Sequence, residues 1–118
     1  MGFLKNLFSG FKKLAMDEID VAVEEIFATN YKVSKGVEIK NIYPDYAYKH
    51  GYVCDYVIGD MSGNVRWIIV KLPHNAEKYD DYKQLVELCK NKRVKLINFY
   101  MQFPNEKEYV QNRIRRMM

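Results

Sequence analysis

Two apolar, β-rich runs bracket one turn, and they constrain this chain more than any other feature in it. Gly51–Ile58 reads GYVCDYVI and Val65–Leu72 reads VRWIIVKL. Between them, Asp60-Met61-Ser62-Gly63-Asn64 supplies residue types that favour a reversal, so the runs are predicted to pair as a hairpin. A later run, Val94–Phe103 (VKLINFYMQF), is almost unbroken in its β-rich character. That pattern belongs to a strand covered on both faces, which places it centrally in the sheet. Tyr31–Ile42 alternates around Gly36, with Val37, Ile39 and Asn41 opposite Glu38 and Lys40, and reads as a further strand.

Helical spacing accounts for most of what remains. In Gly2–Ala15, Phe3, Leu4, Leu7, Phe8, Phe11 and Leu14 recur on one side while Lys5, Ser9, Lys12 and Lys13 fall on the other. Asp17 is the expected N-cap of a second helix running to Asn30, with Glu18 and Asp20 in its first turn and Ile19, Val23, Ile26 and Phe27 as its stripe. Glu77–Lys92 has helical spacing through Tyr82, Leu85, Val86, Leu88 and Cys89. Pro104-Asn105 ends the last strand, and Asn105 is the expected cap of a final helix, Glu106–Met117. The order α, α, β, β, β, α, β, α predicts an α/β protein: a small mixed sheet of about four strands with helices packed on it. Residues 1–16 form an N-terminal amphipathic helix in this reading, and 17–118 a single domain.

Composition supports one core and narrows the function. With 118 residues, 48% hydrophobic and 14% aromatic, the chain can bury a core without staples. It contains no run of about 18 apolar residues, and Gly2–Ala15 lacks a secretory signal's continuous apolar stretch. Cys54 and Cys89 lack metal-ligand spacing and read as reduced core thiols, consistent with a cytoplasmic setting. The net charge of +4 is unevenly placed: residues 1–14 carry +3, residues 106–118 carry +2, and residues 15–105 carry −1. That distribution argues against a small histone-like or ribosomal protein, which carries a broad basic stripe.

Within the hairpin, two residues break the apolar pattern. Asp55 lies between Cys54 and Tyr56, and Lys71 between Val70 and Leu72. A charge inside an apolar strand is costly unless it is paired or functional. Strand alternation puts Val53, Asp55 and Val57 on one face, and Val65, Trp67, Ile69 and Lys71 on one face. An Asp and a Lys meeting on a hairpin face suit metal-assisted phosphodiester cleavage, the carboxylate holding a divalent ion and the lysine orienting water and stabilising developing charge. A cross-strand ion pair, with Lys71 reaching to water, is the alternative.

Over residues 17–103 the chain resembles the PD-(D/E)xK nuclease-like superfamily, with its restriction-endonuclease-like αβββαβ core. The branch related to very-short-patch repair endonucleases is the most similar. The resemblance rests on Val53-Cys54-Asp55-Tyr56-Val57, on Trp67-Ile68-Ile69-Val70-Lys71-Leu72, and on His74. It extends to Tyr79-Asp80-Asp81-Tyr82-Lys83 and the β run from Val94 to Phe99. It implies a catalytic set of Asp55, Lys71 and a helical glutamate, Glu24 or Glu25, with Asp55 and Glu24 holding Mg²⁺. The pattern departs at Ile69, where the family has an acid two residues before the lysine. Asp80, Asp81 or Glu87 would replace it if the acid has migrated, and Asp45 in Pro44-Asp45 is a further candidate. An aliphatic residue cannot ligate a hard cation. The expectation is therefore an eroded metal site in a domain that acts mainly by binding nucleic acid or a protein partner. An active nuclease is the alternative.

The termini and the tyrosines add further candidates. Arg113, Arg115 and Arg116 could contact phosphates or complement a helix dipole. Tyr43, Tyr46, Tyr48, Tyr52 and Tyr56 could stack bases or form an interface. The N-terminal stripe, with Phe3, Leu7, Phe8 and Phe11, could dock on the domain or on a second copy of the chain. It could also bind weakly at an anionic membrane surface through residues 1–15, as a peripheral module. A lone His74 after Pro73, even with His50, makes no zinc site.

Overall fold

The structure is a computed structural model and describes residues 17–118. The N-terminal stripe of Phe3, Leu7, Phe8 and Phe11 lies outside the described residues. Helix α1 (Glu18–Phe27) precedes strand β1 (Lys32–Glu38), a 3₁₀ turn (Ile39–Asn41), β2 (Val53–Gly59) and β3 (Val65–Leu72). A second 3₁₀ turn (Ala76–Lys78), helix α2 (Asp80–Lys92), β4 (Lys95–Tyr100) and helix α3 (Lys107–Arg116) follow. The strands lie in the order β1-β2-β3-β4; the first three are antiparallel neighbours, and β4 runs parallel to β3. The fold is the α/β architecture expected, a four-stranded mixed sheet with helices on both faces.

Its two cores follow from alternation along β3. Ile68, Val70 and Leu72 face α2, where Leu85, Leu88 and Cys89 meet them. Trp67 and Ile69 face α1 and α3, packing with Val23, Phe27, Val110 and Ile114. Both faces of β3 are thus dry, which explains why VRWIIVKL reads as continuous rather than alternating. Strand β4 is not central: it lies at the sheet's edge, with Ile97 and Phe99 buried on the α1–α3 side and Leu96, Asn98 and Tyr100 half-buried on the other. An unbroken apolar run reports two covered faces, not the number of neighbouring strands. Helix α3 also protects the open edge, since Arg113 Nε donates to the Asn98 carbonyl (3.1 Å) and Nη2 to Asn98 Oδ1 (2.6 Å).

Local chemistry explains the boundaries. Helix α1 starts with a reciprocal cap: Asp17 Oδ1 accepts from the Asp20 amide (2.8 Å) and Asp20 Oδ2 from the Asp17 amide (3.2 Å). Phe27 closes the helix within an aromatic cluster with Tyr31 and Trp67, the Tyr31 and Trp67 centroids 5.0 Å apart. The hairpin turn is held by Asp60 Oδ1, which accepts from Ser62 and Asn64 amides at 3.0 Å each. Asn105 does not cap α3: Glu106 holds that position, and the buried Asn105 side chain donates back to the Tyr100 and Phe103 carbonyls at 2.9 and 3.1 Å. The tyrosine-rich stretch folds over the α2-side core, with Tyr46 buried and its hydroxyl donating to the Asp81 carbonyl at 2.7 Å. Tyr56 is fully buried on the other face. Neither ring is available to stack on a base.

Helix α2 ends on Arg93 in the left-handed region (φ 58°), with the Val94 amide closing onto the Cys89 carbonyl. A Cβ makes that conformation cost about 1 kcal/mol, a penalty glycine lacks. Arg93→Gly is therefore expected to raise stability by about 1 kcal/mol, measured as an increase in Tm by thermal unfolding.

Candidate functional site

The sheet changes character where Asp55 stands. Opposite it, between the pairs Lys35↔Tyr56 and Val37↔Cys54, Gly36 takes φ +60°. Past this kink Val37 and Cys54 join the α2-side core, whereas Val33, Tyr56 and Ile58 belong to the other. The β2–β3 ladder also ends there, its last pair being Tyr56↔Ile69. Beyond it a side chain substitutes for the strand: the Lys71 amide donates to Asp55 Oδ2 at 2.6 Å.

The Lys71 side chain takes another route. Its ammonium passes over the Tyr56 ring, 5.3 Å from the centroid, and reaches the first turn of α1. There it lies 2.7 Å from Asp17 Oδ2 and 3.7 Å from Asp20 Oδ1. The buried Tyr56 hydroxyl donates to Asp20 Oδ1 as well. Two carboxylates that cap α1 therefore also neutralise a lysine from the central strand and satisfy a core tyrosine. The cluster ties the helix terminus to the sheet.

Its carboxyl groups are tuned in opposite directions. Partial burial pushes Asp17 upward, but hydrogen bonds from Lys71 and the Asp20 amide, with the Lys71 charge, outweigh it and hold Asp17 below its ordinary value. Burial pushes Asp55 up, the Lys71 amide and ammonium offset only part of that, and Asp55 stays above its ordinary value with the Asp17 charge adding to the rise. Burial likewise lifts the thiols of Cys54 and Cys89 to about 12, as expected of unreactive core cysteines.

The structure brings Asp55 and Lys71 together, though not as two side chains on one face. A bulge between Ile58 and Gly59 shifts the register, so Tyr56 rather than Asp55 sits opposite Ile69. Glu24 is not in the cluster; it pairs with Lys35 at 3.1 Å. Glu25 meets Lys107 and Gln111 at 3.2 and 2.7 Å. Asp45 pairs with Lys92 at 3.3 Å, and Asp81 Oδ1 accepts from its neighbour Tyr82 at 2.7 Å. Asp80 lies exposed in the first turn of α2 and Glu87 on its outer face, while His74 sits exposed in the loop after β3. Asp17 and Asp20, not Glu24, are the helical carboxylates beside Lys71. Their spacing, three apart at a helix start, was visible as a cap, but nothing in it pointed to Lys71.

Would this donor set suit Mg²⁺? Asp55 spends one oxygen on an amide, and Asp17 is held by an ammonium. Ile69, at the position of the missing acid, is fully buried. A hard divalent ion needs several free oxygens, so the residues present do not fit a hydrolytic Mg²⁺ site.

A second feature lies at the opposite end of β3. A cleft of about 400 Å³ is lined by Arg66, Arg93, Lys95, Asn64, Trp67 and Met118, with Val65 at its side. All three cations are exposed. Among the described residues the only ion pair that any of them makes, Arg66 with Asp60, is loose at 3.8 Å. Arg115 and Arg116 stand exposed in the last turn of α3, close in sequence to Met118. Arg113 is placed differently, over Phe99 and bound to Asn98. Sequence reasoning missed this cleft because its cations come from three separate elements. Compared with models of known protein families, with curated proteins and with solved structures, the chain matches none.

A structural role for the cluster has two consequences. Asn at position 55 still accepts from the Lys71 amide, so Asp55→Asn should leave stability at pH 7 unchanged or higher, whereas Asp55→Ala strands that amide and should cost about 1–3 kcal/mol. Urea unfolding of both variants checks this. With its depressed pKa, Asp17 contributes stability that is present above 3.8 and lost as pH falls through the folded-state value. For Asp55 the sign reverses: its contribution is complete below 3.8 and lost as pH rises through the elevated value. Lys71→Met removes the cation from both. Because Asp17 is 44% exposed and water screens it, the loss at neutral pH should be only about 0.5–1 kcal/mol. In the stability–pH curve the rise that Asp17 contributes should shrink, while the fall that Asp55 contributes above 3.8 should steepen, because the lost cation held both groups down.

Proposed function

We propose that this is a nucleic-acid-binding domain built on a nuclease-like layout, with its Asp–Lys cluster retained as a structural tie rather than a hydrolytic centre. The observation that carries the reading is the cleft bearing Arg66, Arg93 and Lys95. Three exposed cations around a concave floor, with Arg115 and Arg116 a few residues before Met118 of the lining, suit a run of phosphates more than one small anion. The element order α, β, β, β, α, β, with a strand acid and strand lysine meeting at the sheet's end, supports the layout. Binding of this kind is electrostatic and tolerant of sequence, because the tyrosines that could have read bases are packed into the cores or against them.

Opposing this reading is the active nuclease. Its support is the convergence of Asp17, Asp20, Asp55 and Lys71 at the carboxyl ends of parallel β3 and β4, where open α/β sheets commonly carry their sites. The two differ in measurable ways. Combined Arg66→Gln, Arg93→Gly and Lys95→Gln changes should weaken binding of a labelled oligonucleotide at least about tenfold near 0.1 M salt. The same changes should flatten the dependence of log K on log salt by about 0.7–0.9 for each phosphate no longer neutralised. Asp55→Asn should bind as the unaltered chain does. Unchanged affinity in the triple variant would remove the proposed interface. Cleavage that requires Mg²⁺ or Mn²⁺, and disappears in both Asp55→Asn and Lys71→Met, would establish the nuclease instead.

A further inference from the structure

Beside the Asp17–Lys71 cluster the surface exposes three large apolar side chains. Phe103 is 58% exposed, Tyr109 55% and Met101 42%. These side chains border two adjoining hollows. One, of about 200 Å³, is lined by Asp17, Glu18, Ile19, Met101 and the Phe103–Asn105 turn. The other, of about 530 Å³, continues past that turn to Glu106 and Tyr109. The combined groove has an apolar floor and carboxylates on its rim: Asp17, Glu18 and Glu106.

We propose that this groove is the docking site of the chain's own N-terminal segment, residues 1–16. Three observations select that occupant. The segment's periodicity gives a stripe of Phe3, Leu7, Phe8 and Phe11 flanked by Lys5, Lys12 and Lys13, complementary to an apolar groove with an acidic rim. The segment leads directly into the groove, because Asp17, the residue that follows it, is part of the lining. As a helix, residues 2–15 would be about 21 Å long, close to four turns of continuous stripe. With no linker to span, the effective concentration is of order millimolar, so docking that would be negligible between separate molecules is favoured within one. The docked segment covers the end of the sheet where Lys71 meets Asp17, leaving the basic cleft at the other end open. It therefore neither requires nor excludes the nucleic-acid reading.

Hydrogen exchange on the full-length chain tests this. Amides of residues 3–14 should be protected at least about tenfold over unfolded rates, independent of protein concentration and in the absence of lipid. Phe103→Glu changes an exposed side chain and leaves the cores untouched; it should abolish protection of residues 3–14 while core strand amides stay protected. Phe8→Asp should have the reciprocal effect, loosening the amides of residues 101–106. Lys12→Glu with Lys13→Glu should weaken protection in both places without touching any apolar contact. Unprotected residues 3–14 in the unaltered chain would overturn the proposal. So would protection that survives Phe103→Glu, rises with protein concentration as for a second copy, or appears only with vesicles containing anionic phospholipid.

Discussion

Strand β3 cannot leave either face in water. Ile68, Val70 and Leu72 on one side and Trp67 and Ile69 on the other are all buried, and α1, α2 and α3 are positioned to make them so. On one face α2 arrives by the crossover that makes β4 parallel to β3. On the other, α1 and α3 share the work, with Glu25 bridging to Lys107 and Gln111 and the Trp67 indole donating to the Met117 carbonyl at 3.2 Å. A strand of this composition forces three layers, and a chain of 118 residues has room for little else.

The same constraint decides where charge can sit. Lys71 is next to last in β3, where its long side chain can escape past Tyr56 to the capped start of α1. Asp55 lies where the β2–β3 ladder stops and Gly36 kinks the neighbouring strand. Each charge is tolerated because a gap in the regular sheet gives it a partner. The Asp55 carboxylate serves an amide that has lost its strand, and the ammonium serves a helix end that already wants negative charge. A functional site and a structural tie have the same raw ingredients; they differ in whether any donor atoms are left over. Here the oxygens are largely spoken for.

How far the sequence revealed this is clear from particular residues. The bounds of β3, the capping by Asp17, the turn at Asp60–Asn64 and the helical nature of Asp80–Lys92 were all written in local patterns, since each depends on neighbours in sequence. The meeting of Asp55 with Lys71 was legible, but its geometry was not. Without the bulge at Ile58/Gly59, Asp55 would lie opposite Ile69 and share a face with Lys71; one inserted residue reverses that parity. The partnership of Lys71 with Asp17 and Asp20 was hidden for another reason: 54 and 51 residues separate them, and only packing of α1 on the sheet joins them. Edge placement of β4 was hidden because covered faces and flanking strands leave the same apolar signature.

The two ends of β3 consequently have different electrostatic characters. At its carboxyl end Lys71 is surrounded by Asp17, Asp20 and Asp55, with Glu18 and Glu106 close along the groove, so a polyanion would be repelled there. At its amino end Arg66, Arg93 and Lys95 gather with the closing turns of α2 and α3, whose C-terminal carbonyls already favour cations. Such a division gives the two ends of the sheet potentials of opposite sign. It also explains why the modest net charge of +4 was a poor guide: what matters is the separation of signs along one buried strand, and the total averages it away.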